Sequence, residues 1–267
     1  MHGTDQFESL PPAAVPHPLQ DAGGTVRWQM LASETAIAFT VDSSTYAVMM
    51  ATPEALDDFA LGFCLMEGVV RLPTELLGLQ VVPRPQGIEL RLDLASPARD
   101  RFWQRQRRLR GPLGCGLCGI QSLEAALEPG RRVAARLEVQ PSEITAAMAA
   151  LADAQPLHHL THSLHAAGFW RPGQGLLAVR EDVGRHNALD KLAGALSRQG
   201  IDPSRGMVVM TSRLSLELVQ KAAALGTPAL VGISAPTALA VQAAAACNLT
   251  LIGCARNGDH ACFTMPR

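Results

Sequence analysis

The sequence predicts an α/β protein with a smaller, β-rich (α+β) N-terminal part, and three observations carry that expectation. Its 267 residues, 48% hydrophobic and 18% charged, suffice to bury a substantial core in one large or two smaller domains. From residue 207 onward, short apolar runs (207–211, 229–233, 250–254) alternate with helical segments (214–225, 237–247). That rhythm implies crossover connections and a parallel or mixed sheet with helices on its faces. Before residue 95 the apolar runs come in pairs around turn residues, as in hairpins.

Charge and composition narrow the function classes. A formal net charge of −1 argues against a chain built to coat nucleic acid. No uninterrupted apolar stretch of 18 residues occurs, and residues 1–20 lack a basic region followed by an apolar run. A cytoplasmic protein is therefore expected, with neither membrane nor nucleic acid as partner. Six cysteines in a reducing compartment read as thiols rather than as a disulfide framework.

In chain order, Pro11, Pro12, Pro16 and Pro18 predict a flexible N-terminal arm over residues 1–24. Residues 25–51 read as short strands with turn material at Asp42-Ser43-Ser44. Thr52 is expected as the N-cap of a helix with Pro53 in its first position. Leu56, Phe59, Ala60, Phe63 and Met66 line one face of it, Cys64 is packed within it and Gly68 ends it. A second hairpin over residues 80–94 turns at Pro83-Arg84-Pro85-Gln86-Gly87. Residues 98–111 then read as an amphipathic helix. Arg99, Arg101, Arg105, Arg107, Arg108 and Arg110 form either a solvated basic face or a patch for an anion or partner.

The stretch Gly114-Cys115-Gly116-Leu117-Cys118-Gly119 sets two cysteines at C-x-x-C spacing among glycines, ahead of a short helix at 121–127. Glycines give such a loop freedom to present its sulfurs, and a nearby helix N-terminus favours thiolate over thiol. The same spacing is half of a structural zinc site, or a disulfide. No second C-x-x-C and no finger-like histidine pair accompanies it.

Residues 132–139 read as a strand and 142–152 as a helix with Ile144, Met148 and Leu151 on one side. His158, His159, His162 and His165, with His186 later, are open to a metal, a proton shuttle or a polar rim. A strand at 176–179 runs into Arg180-Glu181-Asp182-Val183-Gly184-Arg185-His186-Asn187-Ala188-Leu189-Asp190-Lys191. This density of ionisable groups marks either a site or a turn in which Glu181 and Asp182 neutralise Arg180, Arg185 and Lys191. A helix starting near Arg185 and His186 points backbone donors at an anion. Glu217 and Lys221 are expected to pair at i, i+4. A piece at 261–264 is expected as an edge strand after the turn 256–260.

These motifs together resemble the FdhD/NarQ family, sulfurtransferases needed for formate dehydrogenase activity. The carriers are the 114–119 and 180–191 stretches, Ser215-Leu216-Glu217-Leu218-Val219-Gln220-Lys221-Ala222, Ser234-Ala235-Pro236-Thr237 and Thr250-Leu251-Ile252-Gly253. Thr52-Pro53, Phe59-Ala60-Leu61-Gly62-Phe63 and Glu67-Gly68 extend the match over residues 34–264. The resemblance implies a β-rich N-terminal domain (25–112), a C-x-x-C segment (113–127) and a cytidine-deaminase-like three-layer α/β domain (128–267).

It further implies that a cysteine desulfurase loads persulfide sulfur onto Cys115, assisted or resolved by Cys118. The sulfur then passes to a molybdenum bis(molybdopterin guanine dinucleotide) carried as substrate. Cys254, Ala255, Arg256, Asn257, Gly258 and Asp259 occupy the family's cofactor segment, with Arg213, Arg185 and His186 as further candidates. Partners implied are the desulfurase, an apo formate dehydrogenase or related molybdoenzyme, and a second copy in a homodimer; no structural zinc is implied. The chain departs from the family at His162 and Ser163, where glycines are usual, and at Ser212 and Cys254. A zinc hydrolase and a non-catalytic cofactor chaperone are the competing classes; the first lacks the H-x-E and P-C-x-x-C pattern.

Overall fold

The structure, a computed structural model, describes residues 9–109 and 130–265. A four-stranded sheet, order β4-β3-β6-β5, organises the N-terminal part: β3 Thr35–Val41, β4 Ser44–Ala51, β5 Leu76–Arg84 and β6 Gly87–Leu94. Both hairpins sit where the turn residues put them. Asp42 and Ser43 take left-handed φ of 48° and 63°, as a two-residue hairpin turn requires. Helix α1 (Leu56–Met66) covers the sheet through Phe59 and Phe63, which pack on Phe39. Helix α2 (Ser96–Leu109) adds Phe102 to the same core.

Ahead of this sheet, β1 (Ala14–Gln20) and β2 (Val26–Ala32) form a separate antiparallel hairpin, where proline content predicts a flexible arm. The prolines permit it because of their phase. Ser33 N–H bonds Ala13 O, which puts the odd-numbered residues of β1 in the hydrogen-bonded positions. Pro16 and Pro18 then turn their donor-less nitrogens outward.

Thr52 is not the N-cap of α1. The helix starts at Leu56 behind Ala55, whose φ is +51°, and the Thr52 hydroxyl instead accepts from Val183 N–H at 3.1 Å. Cys64 is buried as expected, and burial pushes its thiol up to about 12.

The C-terminal part is a six-stranded mixed sheet, order β12-β11-β10-β9-β7-β8. Its strands are β7 His165–Arg171, β8 Gly175–Asp182, β9 Met207–Met210, β10 Ala229–Gly232, β11 Thr250–Arg256 and β12 Asp259–Thr264. Strands β9, β10 and β11 run parallel and the others antiparallel. Strands β9 and β10 are buried throughout, because helices cover both faces. On one face lie α5 (Arg185–Arg198), α6 (Leu216–Leu225) and α7 (Ala238–Cys247); on the other lies α3 (Pro141–Asp153), with Ile144 and Leu151 inward.

Residues 132–139 are not a strand. Val133 bonds instead around the end of α7, its N–H to Cys247 O and its C=O to Asn248 Nδ2. A short helix α4 (Pro156–Thr161) precedes β7. Among the described residues no helix is long and apolar enough to cross a membrane.

The two parts meet where α1 crosses α5. A Cβ on Gly62 would land on the carbonyl oxygen of Asp190, and one on Gly194 on that of Asp58. Hydrogen here lets two backbones approach closer than any side chain allows.

Candidate functional site

The carboxyl ends of β9, β10 and β11 open onto one edge of the sheet, the place where open α/β sheets hold ligands. Antiparallel β7 begins there, with His165 opposite Asp182 at the end of β8. Helices α5, α6 and α7 all start at this edge, behind Gly184, Ser215 and Thr237. Three helix N-termini with aligned dipoles thus lie along one edge of the sheet, the start of α7 partly capped by the Thr237 hydroxyl on Ala240 N–H, an environment suited to anions.

The 180–191 stretch builds one side of it. Asp182, with no exposed surface, accepts from Thr52 N–H (3.0 Å), Gly184 N–H (2.8 Å), Asn187 Nδ2 (3.0 Å) and Lys191 Nζ (2.6 Å). Lys191 is equally buried; desolvation lowers its ammonium below the usual lysine range while Asp182 opposes that pull. Gly184 has an ordinary φ of −100°, so it is required for room: a Cβ would come 2.7 Å from Asn187 Nδ2.

The remaining charges pair differently from the expected turn. Arg180 reaches Asp58 at 2.6 Å, and Glu181 accepts from the N–H groups of Leu157 and His158 at the start of α4. Arg185 makes no ion pair among the described residues, and its buried Nε has no hydrogen-bond partner.

His186 stands at the mouth. Its Nε2 lies 2.7 Å from Glu217 Oε2 and 3.5 Å from Ser215 Oγ. Burial lowers its pKa, against the raising effect of Glu217 and together with the like charges of Arg185 and Lys221. Burial and Arg185 lower His165 as well. Burial thus favours the neutral imidazole at both positions, while Glu217 beside His186 favours its charged form.

Glu217 does not pair with Lys221, which turns inward to Asp190 at 2.7 Å and 2.9 Å. His158 is near enough to His165 to add to the lowering of its pKa, and the His158 ring packs on His162 at 6.0 Å; His158 Nδ1 lies 2.8 Å from Leu164 O, and His159 Nε2 lies 2.9 Å from Ala152 O. His162 takes φ +56° at the end of α4, so it keeps a glycine-like backbone. Among the described residues no three His, Cys, Asp or Glu side chains converge as metal ligands.

The opposite side is the β11–β12 hairpin. Cys254 is half-buried at a bulge with φ +56°, and its N–H bonds Ser234 O at 3.2 Å. Ala255 is buried, Arg256 exposed and paired in register with Asp259, and Asn257-Gly258 form the two-residue turn at φ +56° and +80°. The structure thus brings Arg185, His186, Arg213 and 254–259 to one edge of the sheet. Arg213 follows β9 and is exposed; Ser212 beside it is buried, its hydroxyl donating to Arg213 O.

Cys115 and Cys118 lie outside the described residues, as does the helix expected at 121–127. The basic face of α2 resolves in part: Arg99 pairs with Asp42 and Asp93, Arg101 with Glu75, and Arg105 with Glu67 and the Tyr46 hydroxyl. Those three arginines are tied by these pairs to the N-terminal fold.

A groove of about 630 Å³ lies at the far ends of α5 and α6 from the crevice. It is lined by apolar residues such as Leu65, Leu196 and Leu225 together with Arg71, Arg131 and Asp202.

Sequence reasoning missed Thr52, placed at a helix start, and His165, treated as one of a cluster. The strand register that sets His165 against Asp182 could not be read from spacing.

Comparison with known proteins completes the description. The FdhD/NarQ family model matches residues 32–267. The chain is 48% identical over 232 residues to Sulfur carrier protein FdhD of Agrobacterium fabrum (strain C58 / ATCC 33970), covering 86% of each chain. It is 42% identical over 245 residues to the protein of that name from Bordetella petrii, covering 91% of this chain and 88% of the relative. The fold is shared with the crystal structure of a candidate formate dehydrogenase accessory protein from Desulfotalea psychrophila. That likeness has a TM-score of 0.71 and 24% identity, and covers 96% and 99% of the two chains. With its C-x-x-C stretch, its crevice motifs and nearly its whole length aligned, the chain belongs to the FdhD/NarQ family.

Proposed function

We propose that this protein is a cytoplasmic sulfur carrier for a formate dehydrogenase or related molybdoenzyme. It takes persulfide sulfur from a cysteine desulfurase and delivers it to a molybdenum bis(molybdopterin guanine dinucleotide) substrate. The observation that carries the reading is the 48% identity over 86% of both chains to a named sulfur carrier, in a chain that holds Cys115-x-x-Cys118.

Loading moves the outer sulfur of the desulfurase persulfide onto the Cys115 thiolate and returns the desulfurase thiolate. Delivery as sulfide needs two electrons. The Cys118 thiolate supplies them by attacking the Cys115 sulfur: the S–S bond breaks, HS⁻ leaves toward the molybdenum, and a Cys115–Cys118 disulfide remains for a dithiol reductant to reopen.

The crevice supports the carriage of a dinucleotide. Its three helix N-termini, Arg185, Arg213 and Arg256 offer donors to pyrophosphate oxygens. Chain length supports the delivery. The chain re-enters at Gly130 beside Gln220 and Ala223 of α6, and α6 covers about 12 Å between Ala223 and Ser215. Eleven residues lie between Cys118 and Gly130; with the expected helix at 121–127 they can span up to about 28 Å.

The reading includes a deaminase-like layering of the C-terminal part and a homodimer, the latter tested by sedimentation. The function itself is tested by complementation. Expressed in a host lacking its own family member, the chain restores formate dehydrogenase activity; a folded chain that restores none contradicts the proposal.

A further inference from the structure

We propose that Thr52 is a positioning residue through which the N-terminal part sets the α5 end of the crevice, holding Arg185 and His186 for the anionic substrate. The inference rests on the substrate reading above but stands on separate geometry. Thr52 belongs to the β-rich part, yet it is fully buried and each of its three polar groups reaches the other part, its C=O while also accepting from Glu54 N–H at 2.8 Å. Its N–H donates to Asp182 Oδ2 at 3.0 Å, its Oγ1 accepts from Val183 N–H at 3.1 Å, and its C=O accepts from Lys191 Nζ at 2.8 Å.

Asn187 adds a fourth link, donating to Met50 O at 2.8 Å and to Asp182 at 3.0 Å. Asp182, Val183 and Gly184 are the residues that lead into Arg185 and His186, so the seat of those side chains is fixed from outside their own sheet. Arg185 makes no ion pair among the described residues, and its buried Nε has no hydrogen-bond partner, so its place depends on the backbone that leads into it. Fixing the backbone two residues away is what preorganises such a group. Helix termini positioned from a second domain give a way for events in one part to reach a ligand in the other.

The test uses Thr52→Val, which keeps shape and backbone bonds and removes the acceptor for Val183 N–H. Thr52→Ser, which keeps that acceptor, serves as the rescue. Binding of guanosine diphosphate to the full chain is measured by calorimetry, and the His186 imidazole resonances are followed by NMR without nucleotide. The expected result is a five- to twentyfold weaker affinity and displaced His186 resonances in Thr52→Val, with both restored in Thr52→Ser.

Unchanged affinity and unchanged His186 resonances in a folded Thr52→Val overturn the proposal. If the parent chain binds no guanosine diphosphate, the substrate reading fails by itself, and the His186 resonances still decide the positioning role. Should Thr52→Val not fold, Asn187→Ala cuts the Met50 link and is read by the same two measurements, with the same result overturning the inference.

Discussion

Asp182 and Lys191 show how costly a site can be at the level of single residues. Each is fully buried, and each is tolerable because the other and a set of hydrogen bonds complete it. Lys191→Met leaves the buried Asp182 without its cationic partner. We expect a loss of about 3–5 kcal/mol in urea unfolding, against little change for an exposed pair such as Arg99 with Asp93.

Asp190 gives a pH signature of the opposite kind. Burial raises its carboxyl to about 6, with Lys221 at 2.7 Å pulling the other way. Because the folded value lies above the unfolded one, near 3.9, ionised Asp190 costs stability. The penalty is absent below about pH 4 and complete above about pH 6. Asp190→Asn is therefore expected to match the parent at pH 4 and to gain on it through pH 6, by up to about 3 kcal/mol at pH 7. Parallel denaturation curves across that window give the sign directly.

Elements were legible wherever periodicity alone decides them. The apolar spacing of Leu56, Phe59, Ala60 and Phe63 set α1, and the alternation of short apolar runs with helical segments after residue 207 set the C-terminal layers. What local signals could not supply was context. Thr52-Pro53 has the composition of a helix start, but a buried carboxylate from another element takes its N–H. Residues 132–139 have a strand's apolar pattern, but Val133 bonds the end of α7 instead of a strand. Pro16 and Pro18 suggested disorder, because the reading counted prolines and not their phase.

The α1–α5 crossing belongs to this scale too. Gly62→Ala pushes a methyl into the backbone of α5, which cannot rotate away. It is expected to cost more than about 3 kcal/mol and to lower the thermal midpoint sharply. Gly68→Ala, where the added Cβ meets nothing, carries just the strain of its φ of +67° and is expected to cost less.

At the scale of the whole molecule, the sheet edge gathers groups scattered from Thr52 to Asp259 in sequence, and the family motifs are the residues that hold this edge together. His186 meets Glu217, Asp190 meets Lys221, and Asp182 meets Lys191. The candidate site was thus half readable: the motifs named its residues, while the pairing of one motif with the next required the fold. Arg256→Ala, at the β11–β12 hairpin tip, is expected to weaken guanine nucleotide binding about tenfold to a hundredfold, as loss of a charge-assisted bond does. Calorimetry on the folded variant reads it.

In the proposed function, sulfur carriage rests on Cys115. The direct measurement is incubation of the purified chain with a cysteine desulfurase and sulfur-labelled cysteine, comparing parent, Cys115→Ser and Cys118→Ser. The account predicts label on the parent that a thiol reductant releases and none on Cys115→Ser, at an unchanged unfolding midpoint. Cys118→Ser should load but release slowly. Loading of Cys115→Ser at the parent's rate would contradict the account.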